Sequence, residues 1–283
     1  MSAVKKSAFS GSWYPDDPKE CTDAIKSFLA AAPPKTSGLF SGGIVPHAGW
    51  FYSGAIACQV IASLQRGTAV DVIVVFGGHL NPQDPAVLLW GGSVETPLGE
   101  IETDSDMAAY LAQGVDVEKK TPDRFPDENT LELQYPFIRY FFPKAKLLAC
   151  CVPPSALADT IGRTIVQAAR QMDLSIRVIG STDMTHYGPN FGFMPAGTGE
   201  KAVQWVRDEN DRKGVDALLR MDVDQILSQG LGRQSMCCSG AAAAAAAACR
   251  AGGASSGQLA AYATSYEKSK GSSFVGYSGV LYA

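Results

Sequence analysis

The stretch Val72-Ile73-Val74-Val75-Phe76 is apolar at every position, largely β-branched, and bounded by a charged residue and two glycines. A strand with one face in water alternates apolar and polar residues; one without alternation is covered on both faces, as in a parallel sheet between two helical layers. Gly42 to Val45, Leu147 to Val152 and Ile176 to Gly180 also read as strands. Between them, Tyr52 to Leu64 and Ala156 to Met172 carry apolar residues at helical spacing. Strands alternating with helices through short joints predict a doubly wound α/β fold. The expected form is a three-layer sandwich on a central, mostly parallel sheet, with the Ile44, Val74 and Val178 segments as neighbouring strands. A chain of 283 residues, 46% hydrophobic, suffices for one large unit, so residues 1–283 are read as one domain.

Other elements follow from local signals. Asp17 and Pro18 introduce a helix through Phe28, and Asp104 caps another to Ala112. Ala86 to Trp90 is a short apolar run, Glu95 to Ile101 reads as a crossing loop, and Asp123 to Asn129 as a loop leading into the amphipathic segment Leu131 to Phe142. Two polar helical regions, Glu200 to Leu219 and Val223 to Gln229, precede a loop from Gly230 to Cys237. Cys238 then opens a helix containing the unbroken alanine run Ala241 to Ala248, which stops at Gly252-Gly253. Gln258 to Ser265 and Ser273 to Tyr282 read as an antiparallel edge pair.

The net charge of -4 is spread without a basic block, which argues against nucleic acid as a partner. No window approaches the roughly 18 apolar residues of a membrane span, and no apolar segment follows Lys5-Lys6 as a secretory signal requires. The seven cysteines include the adjacent pairs Cys150-Cys151 and Cys237-Cys238, poor material for a disulfide framework. Reduced thiols and a cytoplasmic location are therefore expected.

The functional signal lies in the histidines. All three of them, His47, His79 and His186, stand just past a strand-like segment, and Asp183 shares the last of these turns. Ligands of open α/β sheets bind outside the carboxyl ends of the strands. One histidine in such a place is more often a hydrogen-bonded structural residue, but three on one rim, with a carboxylate, make a site for a divalent metal of borderline hardness. Cys237 adds a thiol at the entry of the alanine helix, where the helix N-terminus favours the thiolate. Cys238, like Cys58, Cys150, Cys151 and Cys249, reads as a small core residue. Trp13, Tyr14, Trp50 and Tyr52 either pack or wall a pocket.

Gly11-Ser12-Trp13-Tyr14-Pro15, Pro46-His47-Ala48-Gly49-Trp50-Phe51-Tyr52-Ser53-Gly54, Gly78-His79, Thr96-Pro97-Leu98-Gly99, Leu131-Glu132-Leu133-Gln134-Tyr135-Pro136-Phe137, Ser181-Thr182-Asp183-Met184-Thr185-His186-Tyr187-Gly188 and Val275-Gly276-Tyr277 resemble the Memo family, which includes the AmmeMemoRadiSam system protein B. The resemblance runs nearly end to end. It implies a fold similar to the class III non-haem iron extradiol dioxygenases, with His47, His79 and Cys237 as metal ligands and Asp183 and His186 beside them. It also implies iron or copper binding with redox activity, and a radical SAM enzyme and an AMMECR1-domain protein as partners; vertebrate members are described as adaptors for phosphotyrosine segments. Two departures stand out. Where the family commonly has Glu-His-Ser, this chain has Glu128-Asn129-Thr130, and Cys237 is followed by a second cysteine instead of glycine. Asn129 is therefore a pocket candidate in place of an imidazole.

The reading that follows is a metal-dependent oxidoreductase using iron(II) or copper on a small-molecule substrate, with His186 as acid/base group and Asp183 as its partner or a further ligand. A thiolate is a soft ligand and moves the preference towards copper(I) or zinc. The alternatives are a non-catalytic module that binds a peptide or small anionic ligand in the same pocket, and a zinc hydrolase.

Overall fold

The computed structural model describes residues 3–35 and 38–283. In chain order it contains β1 (Val4–Lys5), α1 (Pro18–Ala31), β2 (Gly42–Val45), α2 (Trp50–Ser63), β3 (Val72–Gly77), β4 (Ala86–Leu89), β5 (Ser93–Val94), β6 (Ile101–Glu102), α3 (Ser105–Gly114), β7 (Val117–Lys120), α4 (Asn129–Glu132), α5 (Tyr135–Phe141) and β8 (Lys146–Cys151). There follow α6 (Leu157–Gln171), β9 (Ile176–Ser181), β10 (His186–Tyr187), α7 (Glu200–Trp205), α8 (Asp211–Leu219), α9 (Val223–Arg233), α10 (Ser239–Gly252), β11 (Gly257–Thr264) and β12 (Phe274–Tyr282).

The main sheet runs β10-β12-β2-β9-β3-β8-β4-β7, with β11 paired to β12. Its centre, β2-β9-β3-β8, is parallel, so the carboxyl ends of these four strands lie along one edge. As expected, the Ile44, Val178 and Val74 segments are neighbours. Both faces are covered, which explains the missing alternation. Ile44, Val74, Phe76, Leu148 and Val178 pack with α6 and α10 on one side, whereas Val45, Ile73, Val75, Leu147 and Ile179 pack with Ile25, Ile61 and Phe137 of α1, α2 and α5 on the other.

The alanine helix α10 lies deep in the first of these layers, with Ala241 to Ala248 all buried. Methyl side chains let its backbone come close to neighbours that also lack bulk. A Cβ at Gly180 of β9 would stand 2.8 Å from Ala245 Cβ, and one at Gly162 of α6 would meet the Ala244 carbonyl. Side-chain caps start α1, α3 and α9: Asp17, Asp104 and Asp222 each accept a backbone N–H of the first turn.

Several local expectations need correction. Glu95 to Ile101 is not a crossing loop but the connection of a hairpin, β5 to β6, in a small sheet with β1. The Leu131 to Phe142 segment is two short helices, and Asn129, placed in a loop, opens the first. The helix after His47 begins at Trp50, two residues early. A π-helical turn, Val206–Asn210, interrupts the region from Glu200 to Leu219. Of the C-terminal pair, β11 is outermost, but β12 lies inside and pairs with β2 as well. All seven cysteines are free thiols, as their spacing predicted.

Candidate metal centre

His47, His79 and the Asp183–His186 turn leave the carboxyl ends of β2, β3 and β9, adjacent strands of the parallel centre. Each imidazole is aimed by a neighbour. His47 is 2% exposed; its Nδ1 lies 3.1 Å from Ser181 Oγ and its backbone N–H donates to Asp183 Oδ1 at 2.8 Å, which turns Nε2 towards Cys237 Sγ at 3.3 Å. His79 follows Gly78, whose φ of 97° suits glycine and whose N–H donates to Thr130 Oγ1 at 2.8 Å. Glu128 accepts from His79 twice, at the backbone N–H and at Nδ1, both at 3.1 Å. An ionised carboxylate only accepts, so Nδ1 carries a proton towards Glu128 and Nε2 is the nitrogen left for a metal to claim, as in a carboxylate–histidine–metal arrangement.

The thiols are positioned by the loop before α10. Cys237 N–H donates to the Asp183 carbonyl at 3.2 Å and Cys238 N–H to Thr182 Oγ1 at 3.0 Å, while Met184 and Met236 form a β-bridge. One donor atom from each of His47, His79, Cys237 and Cys238 lies within 4.8 Å of the others. His186 is adjacent: its Nε2 is 3.7 Å from Asp183 Oδ2, is buried and has no hydrogen-bond partner among the described residues. The structure therefore brings His47, His79, Asp183, His186 and Cys237 together from four places in the chain. It adds Cys238, read from the sequence as core, and the aiming groups Glu128 and Ser181, which stand in quoted motifs but were not read as site residues.

The electrostatics of the cluster suit a cation. Burial pushes the Cys237 thiol up, but the Cys238 hydrogen bond and the His47 and His186 imidazoles outweigh it and hold the thiol well below its usual value. Hydrogen bonds donated to Cys237 and Glu128 raise His79 to about 10. Burial lowers His186, yet Asp183 and Cys237 raise it to about 10. Imidazoles that hold protons around one thiolate define a place tuned for positive charge; a divalent ion supplies that charge through coordinate bonds and displaces the protons. Two imidazoles and thiolate sulfur are borderline-to-soft donors and fit zinc, iron(II) or copper, not calcium or magnesium.

A cavity of about 530 Å³ opens over the cluster, with His47, His79, Asp183 and His186 in its floor. Trp13, Tyr52 and Asn129 line it, with Phe51 and Phe191, which the sequence reading had not singled out. Asn129 Nδ2 donates to the His47 carbonyl at 3.1 Å. Tyr14 and Trp50 do not reach the cavity. Both are 3% exposed: the Tyr14 hydroxyl donates to Glu132 at 2.9 Å, and Trp50 stacks on Phe137 at 4.1 Å with its Nε1 donating to the Leu133 carbonyl. These two rings close the core between α1, α2 and α5.

A mixed α/β sheet with a His/Cys cluster on the carboxyl edge of its parallel strands defines a protein with a candidate metal site in a substrate-sized cavity. The chain belongs to the Memo family: the model for Memo-like proteins matches residues 5–281. It is 29% identical to a MEMO1 family protein of Thermococcus onnurineus over 99% of both chains, and 29% identical to one of Methanopyrus kandleri over 97% of both. It is 31% identical to a MEMO1 family protein of Pyrobaculum aerophilum, over 66% of this chain and 70% of that one. No helix among the described residues is long and apolar enough to cross a membrane.

Proposed function

We propose that the chain is a metal-dependent oxidoreductase of Memo type, in which His47, His79 and Cys237 hold iron(II) or copper, with zinc as the alternative ion, and a small molecule enters the aromatic-walled cavity. The observation behind this reading is the convergence of three imidazoles and a carboxylate on one cavity, with Cys237 Sγ 3.3 Å from His47 Nε2. A structural role for any one histidine does not require the others to share that place.

When bound, iron or copper would supply Lewis acidity and one-electron chemistry, and zinc Lewis acidity alone. The chain's own residues do the rest. Glu128 and Ser181 fix the two ligand rings. His186 Nε2, buried and without a partner, takes or returns a proton at the substrate, and the Asp183 carboxylate stabilises the imidazolium so formed. Trp13, Phe51 and Phe191 give the cavity apolar aromatic walls for the substrate to pack on. Cytoplasmic action beside a radical SAM enzyme and an AMMECR1-domain protein belongs to the same proposal.

The test is metal analysis of protein purified without oxygen or chelator. Wild type should retain close to one ion per chain; His47→Ala and His79→Ala should retain almost none while keeping wild-type circular dichroism. Wild-type metal content in both variants would remove the site from consideration.

A further inference from the structure

Cys238 is the donor that a three-ligand site leaves unused. Its side chain is buried, and its backbone is pinned through the 3.0 Å hydrogen bond to Thr182 Oγ1, so the thiol has a fixed place. That place is 3.7 Å from Cys237 Sγ. A tetrahedral ion with metal–sulfur bonds of about 2.3 Å and metal–nitrogen bonds of about 2.0–2.1 Å has sulfur–sulfur edges of about 3.8 Å and sulfur–nitrogen edges of about 3.6 Å. The observed sulfur–sulfur separation of 3.7 Å and the Cys237 Sγ to His47 Nε2 separation of 3.3 Å match these edges to within a few tenths of an ångström. Asp183 is a poorer fourth donor: Oδ1 already accepts the His47 N–H, and Oδ2 stands 3.9 Å from His47 Nε2.

We propose that Cys238 is a fourth protein ligand, so that this chain holds its metal in a His2Cys2 tetrahedron made by His47, His79, Cys237 and Cys238. The inference rests on the metal-binding reading above and deepens it. As the Cys238 sulfur–metal bond forms, the S–H bond breaks and its proton leaves to solvent. Two thiolates and two neutral imidazoles neutralise a divalent ion and move selectivity away from iron(II) towards zinc or copper(I). A substrate in the cavity would approach from the side that His47 and His79 line, away from the two sulfurs.

Cobalt(II) reports both the number and the kind of ligands. Metal-free protein would be titrated anaerobically with cobalt(II), and the thiolate-to-cobalt charge-transfer absorption measured per bound ion. Wild type should show about twice the intensity of Cys238→Ala and of Cys237→Ala. X-ray absorption on zinc-loaded wild type, which depends on no variant folding, should find two sulfur neighbours. Wild-type intensity in Cys238→Ala, or a single sulfur around zinc, overturns the fourth ligand and leaves the three-ligand site standing. Failure of wild type to take up cobalt or zinc overturns both.

Discussion

Alanine at Gly162 sets two effects of opposite sign against each other. The residue lies within α6, and on helix propensity alone Gly→Ala stabilises by about 1 kcal/mol. The new Cβ, however, would meet the Ala244 carbonyl and stand 2.8 Å from Ala248 N and 2.9 Å from Ala247 Cβ. The first two are backbone atoms of a buried helix and cannot rotate aside, so α6 and α10 must separate by on the order of 1 Å to restore ordinary contact distances. Overpacking of a dense core costs about 1–3 kcal/mol, and with backbone on the far side the upper end applies. The net expectation is a loss of about 2 kcal/mol, or a fall in Tm of roughly 4 °C for a chain of this size. Gly232, near the end of α9 with nothing within 4 Å of its added Cβ, is the control, and Gly232→Ala should gain about 0.5 kcal/mol. Urea midpoints at unchanged m-value, with thermal melts, measure both. Because α10 begins at the metal cluster, Gly162→Ala should also weaken metal retention. A Gly162→Ala protein as stable as the Gly232→Ala control would refute the close packing of α6 on α10.

Burial raises the Asp211 carboxyl to about 6, against the hydrogen bonds of Thr185 and Tyr262, so the folded state keeps a proton that the unfolded chain gives up near its ordinary value. This group's stabilising contribution is thus complete below about pH 4 and lost as pH rises to about 6; Asp211→Asn should flatten the stability–pH curve across that window by about 3 kcal/mol, read from denaturation midpoints at each pH. Tyr14→Phe removes one of the donors to buried Glu132, which keeps the N–H groups of Ala8 and Phe9. It should cost about 1.5 kcal/mol in chemical denaturation yet leave metal content unchanged, and a loss of metal would put Tyr14 back at the site. Titration of the unfolded, metal-free chain should find all seven thiols, and in the folded metal-free state Cys237, the one cysteine not fully buried, should react first.

The central strands were legible because coverage on both faces leaves runs that are mostly apolar, unbroken in β3, and the histidines because each lies within a few residues of such a run. The two-residue strands β5, β6 and β10 are too short for any period to show, and β7 pairs on one side only, which lets it carry Glu118, Lys119 and Lys120. Trp50 and Phe51 are equivalent as letters, yet one helical step of about 100° sends the first into the core and the second to the cavity rim. Glu128 and Ser181 could not be found from spacing, since their task, turning an imidazole, depends on where β3 and β9 bring their ends. The same holds for Cys238, whose neighbours 47 and 79 are remote in sequence.

A helix face made of one residue type holds no positional information. A screw motion of about 100° and about 1.5 Å lays each residue of the run from Ala241 to Ala248 onto the next, so the middle of α10 fits its slot equally well one residue out of step. The address is written at Gly240, where an added Cβ would run into the Val152 carbonyl and lie 2.5 Å from Pro153 O. A slip in either direction brings Ser239 or Ala241 into that spot and is refused. Gly240 thereby fixes where the two adjacent sulfurs stand beside His47 and His79, and an uninformative run of alanines becomes a spacer whose one legible mark stands at its start.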